Sequence, residues 1–135
     1  MLNLDPTTEV FQECGRAYEN LKNHFESFVA TSMESVKSLP GMETNADAGI
    51  FSVYFVGSRF QFRFLFDPND WKHKDETHGK IVMETFSKVK NDWEIIRTFV
   101  VDGLGNLRES NQSASLCQVT DSVLLKMITG RPLSL

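Results

Sequence analysis

The chain has 135 residues, 41% of them hydrophobic and 24% charged, with a formal net charge of -4. That length suits one domain able to bury roughly two-thirds of its unfolded surface without a metal or disulfide staple. The composition excludes a disordered chain, and the acidic balance disfavours a dedicated nucleic-acid binder.

Asp5-Pro6 reads as a helix start, since Asp caps free amides and Pro fits the first helical position. From there Phe11, Cys14, Tyr18, Leu21, Phe25 and Phe28 recur in steps of three and four, which places them on one helical stripe. Val29, Met33 and Val36 continue it, and Leu39-Pro40-Gly41 stops it. A rod from Pro6 to Ser38 would run about 50 Å. A domain of this size is only about 36 Å across. The helix is therefore expected either to break near Gly15 or to project and meet a second chain.

Residues 42–49, METNADAG, read as a polar linker. The segment from Ile50 to Phe66, IFSVYFVGSRFQFRFLF, then alternates strictly on either side of Gly57-Ser58. A two-residue loop at that pair predicts a hairpin in which Val56 faces Arg59. One face would carry Phe51, Val53, Phe55, Phe60, Phe62, Phe64 and Phe66, and the other Ser52, Tyr54, Val56, Arg59, Gln61, Arg63 and Leu65. A one-residue slip would push the aromatic row into water, so the register is strongly specified.

Residues 67–79, DPNDWKHKDETHG, form a long polar connection that includes Trp71. Its Asp70, His73, Asp75, Glu76 and His78 are types that bind metals or move protons, yet they lack the spacing of a structural zinc site. A solvated loop is the default, and neither metal nor cofactor is expected. Lys80 to Val89 and Trp93 to Asp102 read as two further strands joined at Lys90-Asn91-Asp92. Both of their alternating sets are apolar, as expected of central strands. Asp102-Gly103 marks a turn, and 106–109 reads as a short fifth strand. Gly103-Leu104-Gly105 lacks the third glycine and the helix that a phosphate loop needs. Ser115 with Gln118 fits a capping box for a last helix carrying Leu116, Val119, Val123 and Met127, which Gly130 and Pro132 end.

The sum is an α+β fold, a two-layer sandwich with a long N-terminal helix, a four- to five-stranded antiparallel meander and a C-terminal helix, in a single domain over 1–135. Cys14 and Cys117 read as buried reduced thiols with no neighbouring base. The start of the chain shows no basic-then-apolar leader, and no window offers a membrane span, so a cytoplasmic location is expected.

No catalytic set emerges. The expectation is a small non-enzymatic binding or adaptor protein, homodimeric, that meets its partner through the N-terminal helix or the open sheet face. The candidate contacts are Tyr54, Arg59, Gln61, Arg63, Trp71 and His73. One alternative is a small-molecule-binding domain or enzyme with a pocket between helices and sheet, reached by Trp71 and His73. Another is single-stranded nucleic-acid binding on the open face through Tyr54, Arg59, Gln61 and Arg63.

Overall fold

The computed structural model describes residues 6–66, 78–110 and 118–133. Helix α1 (Pro6–Val36) leads into six strands: β1 (Met42–Asp47), β2 (Ile50–Phe55), β3 (Ser58–Leu65), β4 (His78–Ser87), β5 (Asp92–Asp102) and β6 (Leu107–Glu109). Helix α2 (Val123–Ile128) follows. The strands form one antiparallel meander in sequence order, and both helices pack on the same face of it. The expected α+β architecture is present, with six strands among the described residues against the four or five expected from the sequence.

The additional strand is β1, which replaces the expected linker. Met42 is buried and Thr44 and Ala46 share the helix-side face, while Glu43, Asn45 and Asp47 turn to water. Such polar content is tolerated because β1 is an edge strand with one side unpaired. The turn after it, Ala48-Gly49, has φ of 50° and 79°, the pattern of a two-residue type I′ hairpin loop.

The next hairpin uses the same device. Val56 and Gly57 have φ of 47° and 89°, so the loop is Val56-Gly57 and not Gly57-Ser58. Phe55 then pairs with Ser58, Val53 with Phe60 and Phe51 with Phe62. This corrects the expected pairing by one position on each strand. The change in register is even, so no side chain changes face. Phe51, Val53 and Phe62 are fully buried, and Phe55, Phe60, Phe64 and Phe66 pack around them half-buried.

Helix α1 supplies the lid. The Phe28 ring meets Phe51 edge-on at 6.1 Å and Phe62 at 5.8 Å, and Phe25 stacks on Phe64 at 5.9 Å. Each such aromatic pair contributes about 0.5–1.5 kcal/mol beyond area burial. Ile81, Met83, Phe99, Val101 and Leu107 extend this face across β4–β6 to Val123, Leu124 and Met127 of α2.

The register of β4 with β5 contains a bulge: Met83 pairs with Arg97 but Glu84 pairs with Ile95, leaving Ile96 unopposed. On the open face Val82, Glu84 and Val100 are also buried, as expected of central strands. His78 and Gly79, read from the sequence as loop, begin β4. A β-carbon on Gly79 would press into the Phe64 ring, so only glycine lets this strand close on its neighbour.

At the C-terminal end, 118–120 are not helical and α2 starts at Val123, later than the expected cap at Ser115, a residue that lies outside the described ones. Its anchor is instead Arg97, whose guanidinium donates to the carbonyls of Lys126 (3.1 Å), Met127 (2.9 Å) and Arg131 (3.0 Å). Gly130, φ 73°, ends the helix as expected, with Arg131 N donating to Lys126 O. The Gly103–Gly105 turn is held to α1, because Asn20 Nδ2 and His24 Nε2 both donate to Gly103 O at 3.1 Å.

Helix α1 does not break at Gly15. Its 31 residues span about 46 Å. Leu21 is the first fully buried residue and Tyr18 the first to meet rings of the sheet, so the turns before Tyr18, about 18 Å of helix, reach beyond the described core. Among the described residues no helix is long and apolar enough to cross a membrane.

Candidate functional site

Among the described residues three surfaces are candidates for a functional site. The first is the open face of the sheet, where Tyr54, Arg59, Gln61 and Arg63 all lie, as the alternation of β2 and β3 requires. Tyr54 pairs directly with Arg59. The Arg59 guanidinium sits 5.5 Å over the Phe86 ring, and Phe86 meets Trp93 edge-on at 5.5 Å. Tyr54, Arg59, Phe86 and Trp93 therefore form one row across β2–β5. Beside it is a shallow depression of ≈ 320 Å³ lined by Glu43, Asn45, Ser52, Tyr54, Arg59 and Trp93.

Sequence reasoning found the near half of this row and missed Phe86 and Trp93. The signal was present in the β4–β5 pattern, but the link from Arg59 to Phe86 needs the β3–β4 register, which nothing local specifies.

Arg63 stands apart from Arg59. Its Nε donates to Glu84 Oε1 at 2.6 Å, and Gln61 Nε2 donates to the same oxygen at 2.9 Å. Glu84 is buried, so this arginine neutralises an internal carboxylate, and Arg59 is the cation left to the row. Trp71 and His73 lie outside the described residues.

The second surface is the projecting part of α1. Its residues Phe11, Cys14 and Tyr18 continue the 3-4 spacing of Leu21, Phe25 and Phe28. Phe11 is 70% exposed and Val10 48%, whereas Leu21, Phe25 and Phe28 are buried. Tyr18 touches the domain edge, 5.9 Å from Phe64 and 5.7 Å from Phe66. Gly15 has open space around it. Cys14 is a free thiol on this seam, half-exposed and not buried as expected.

The third is a cleft of ≈ 380 Å³ between α1 and the β1–β2 hairpin, lined mainly by Phe25, Val29, Met33, Ala46 and Phe51, with Glu26 and Asp47 at its mouth. Trp71 and His73, which the sequence expectation placed at a pocket between helix and sheet, lie outside the described residues.

Among the described residues no group of three or more His, Cys, Asp or Glu side chains could hold a metal ion. A resolved pKa shift falls on Lys90, in the β4–β5 turn, where a hydrogen bond from its ammonium to Glu94, and then the charge of that carboxylate, raise it. Compared with protein families, with curated proteins and with solved structures, the chain matches none.

Proposed function

We propose that the protein is a non-enzymatic binding module that works as a homodimer, joined through the projecting half of α1. The observation that carries this reading is the apolar seam of α1, which covers the sheet from Leu21 onward and continues outward past Tyr18, at the edge against Phe64 and Phe66, to the half-exposed Cys14 and to Phe11, which is exposed among the described residues.

A second copy suits that seam. Two antiparallel copies crossing near Cys14 and Gly15 set Phe11 of one against Tyr18 of the other, with small residues at the closest approach. A two-fold interface of this kind requires a self-complementary patch. Glu9, Glu13, Arg16 and Glu19 fall outside the stripe, so like charges are not brought face to face. A spacing of 3.5 residues is the one that helix pairs use for knobs-into-holes packing.

The test is sedimentation velocity across the micromolar range. The wild type is expected to run as a dimer, and Val10→Glu with Phe11→Glu, both exposed and clear of the sheet, as a monomer of unchanged circular dichroism. A wild type that stays monomeric throughout that range removes the dimer.

A further inference from the structure

We infer that the outer edge of β1 captures an extended peptide of alternating apolar and basic residues, its apolar side chains entering the cleft under α1 and its basic ones facing Glu43 and Asp47. The inference rests on the reading of the chain as a binding protein, but not on its being a dimer.

The backbone comes first. In an antiparallel ladder, opposed residues alternate between exchanging both hydrogen bonds and exchanging none, and the pair flanking a two-residue loop is of the bonded kind. Asp47 and Ile50 flank Ala48-Gly49, so Asp47, Asn45 and Glu43 bond to β2. Thr44 and Ala46 then direct their amides and carbonyls away from the sheet. Two bonds confirm the phase: Met42 N, of the outward class, donates to Leu39 O at 3.4 Å, while Val56 N returns to Gly41 O at 3.1 Å. Among the described residues no strand pairs with that side of β1.

Side chains give the specificity. A strand added there would lie about 4.8 Å from β1 and alternate its side chains between the two faces. On the helix side Ala46 is exposed, its methyl too short to fill the space toward Val29 and Met33, which leaves the ≈ 380 Å³ cleft open beside the edge. An aliphatic side chain from the added strand fits there. On the other side Glu43 and Asp47 are exposed, while on the helix side Glu26 of α1 lines the cleft. None of the cleft's lining residues is basic. Opposed charges on neighbouring strands attract, and like charges directly opposite repel.

The same acids disfavour a second copy at this edge, because β1 against β1 would gather two glutamates and two aspartates on one face. Strand addition of this type draws affinity from main-chain bonds and selectivity from alternate side chains.

The experiment titrates the full chain with a blocked peptide of alternating valine and lysine, followed by amide NMR and hydrogen exchange. The expected result is saturable binding with new protection at the Thr44 and Ala46 amides, and binding about tenfold weaker to Glu43→Lys/Asp47→Lys. The same peptide with glutamate for lysine is expected not to bind, nor one N-methylated on the bonds facing Thr44 and Ala46. These two controls use the unaltered protein, so no folding defect intervenes. Equal binding of either control, or shifts confined to α1 or the open face, would overturn the inference. Val10→Glu/Phe11→Glu is expected to bind the peptide as the wild type does. A monomeric wild type that protects Thr44 and Ala46 would end the dimer reading alone, and a dimer that fails to bind would end this one.

Discussion

Gly79 lies directly beneath the Phe64 ring. A β-carbon built on it would stand 3.0 Å from Phe64 Cζ, closer still to Cε2, and 3.3 Å from Val101 Cγ1. Phe64 in turn carries the stacked Phe25 and touches Tyr18, so this glycine sets how closely α1 approaches β3 and β4. Gly79→Ala is expected to lower stability by about 1–3 kcal/mol, the range for forcing extra methyl groups into packed interiors. Urea unfolding checks it, and Gly79→Ala/Phe64→Leu should recover part of the loss. An alanine variant as stable as the wild type would mean that the ring is free to move aside.

Arg97 holds the C-terminal segment by charge as well as by hydrogen bonds. Its guanidinium pairs with Glu109, lies 4.9 Å over the Phe99 ring, and donates to the carbonyls of Lys126 and Met127 in α2 and of Arg131 just beyond it. Both side chains are largely buried, so removing one partner strands the other. Arg97→Ala is expected to cost about 3–5 kcal/mol. Lysine cannot replace it, since a point charge lacks the planar fork that serves several acceptors at once. Hydrogen exchange should show the loss first in the amides of α2. Arg97→Met/Glu109→Met should be more stable than either single change.

Val56 occupies the left-handed region with φ 47°, an unfavourable place for a β-branched residue. It is 70% exposed, so little packing compensates. Asn at the first position of a type I′ turn relieves that strain. Val56→Asn is expected to raise stability by about 1 kcal/mol, read as a higher urea midpoint with an unchanged slope. An unchanged or lower midpoint would show that the valine side chain contributes where it sits.

The aromatic face, the helix stripe and the later strands were legible because each is a periodic pattern that a single residue does not disturb. Phe51, Val53 and Phe62 announce their face by alternation alone. The turn residues were not legible in the same way. Gly57-Ser58 and Val56-Gly57 both place glycine in a two-residue loop, and only the valine's unfavourable φ distinguishes the one adopted. Strand β1 was hidden because an edge strand exposes one side of its backbone and most of its side chains, so the helix-side face of METNAD holds only Met42, Thr44 and Ala46 and its apolar signal is weak. Of the candidate site, Tyr54, Arg59, Gln61 and Arg63 were placed on the correct face. That Arg63 is paired with Glu84, while Arg59 lies against Phe86, follows from contacts between residues more than twenty positions apart. No spacing in the sequence encodes them.

That division of labour between the two arginines can be measured. Glu84 keeps only 8% of its side chain exposed, while Arg63 keeps 39%. Without Glu84, the guanidinium can turn to water; without Arg63, a buried carboxylate is left with Gln61 alone. Arg63→Ala is therefore expected to destabilise by about 3 kcal/mol, and Glu84→Ala by about 1 kcal/mol. The Lys90–Glu94 pair in the β4–β5 turn is a control: it is open to water, and Glu94→Ala should leave the melting temperature unchanged. Arg59→Ala should also leave stability nearly unaltered, since its cation lies on an exposed face against Phe86. Thermal unfolding of the four variants separates the cases. If Arg63→Ala proved as harmless as Arg59→Ala, the Glu84 pair would contribute nothing to the fold, and both arginines would stand equally ready for a ligand on the open face.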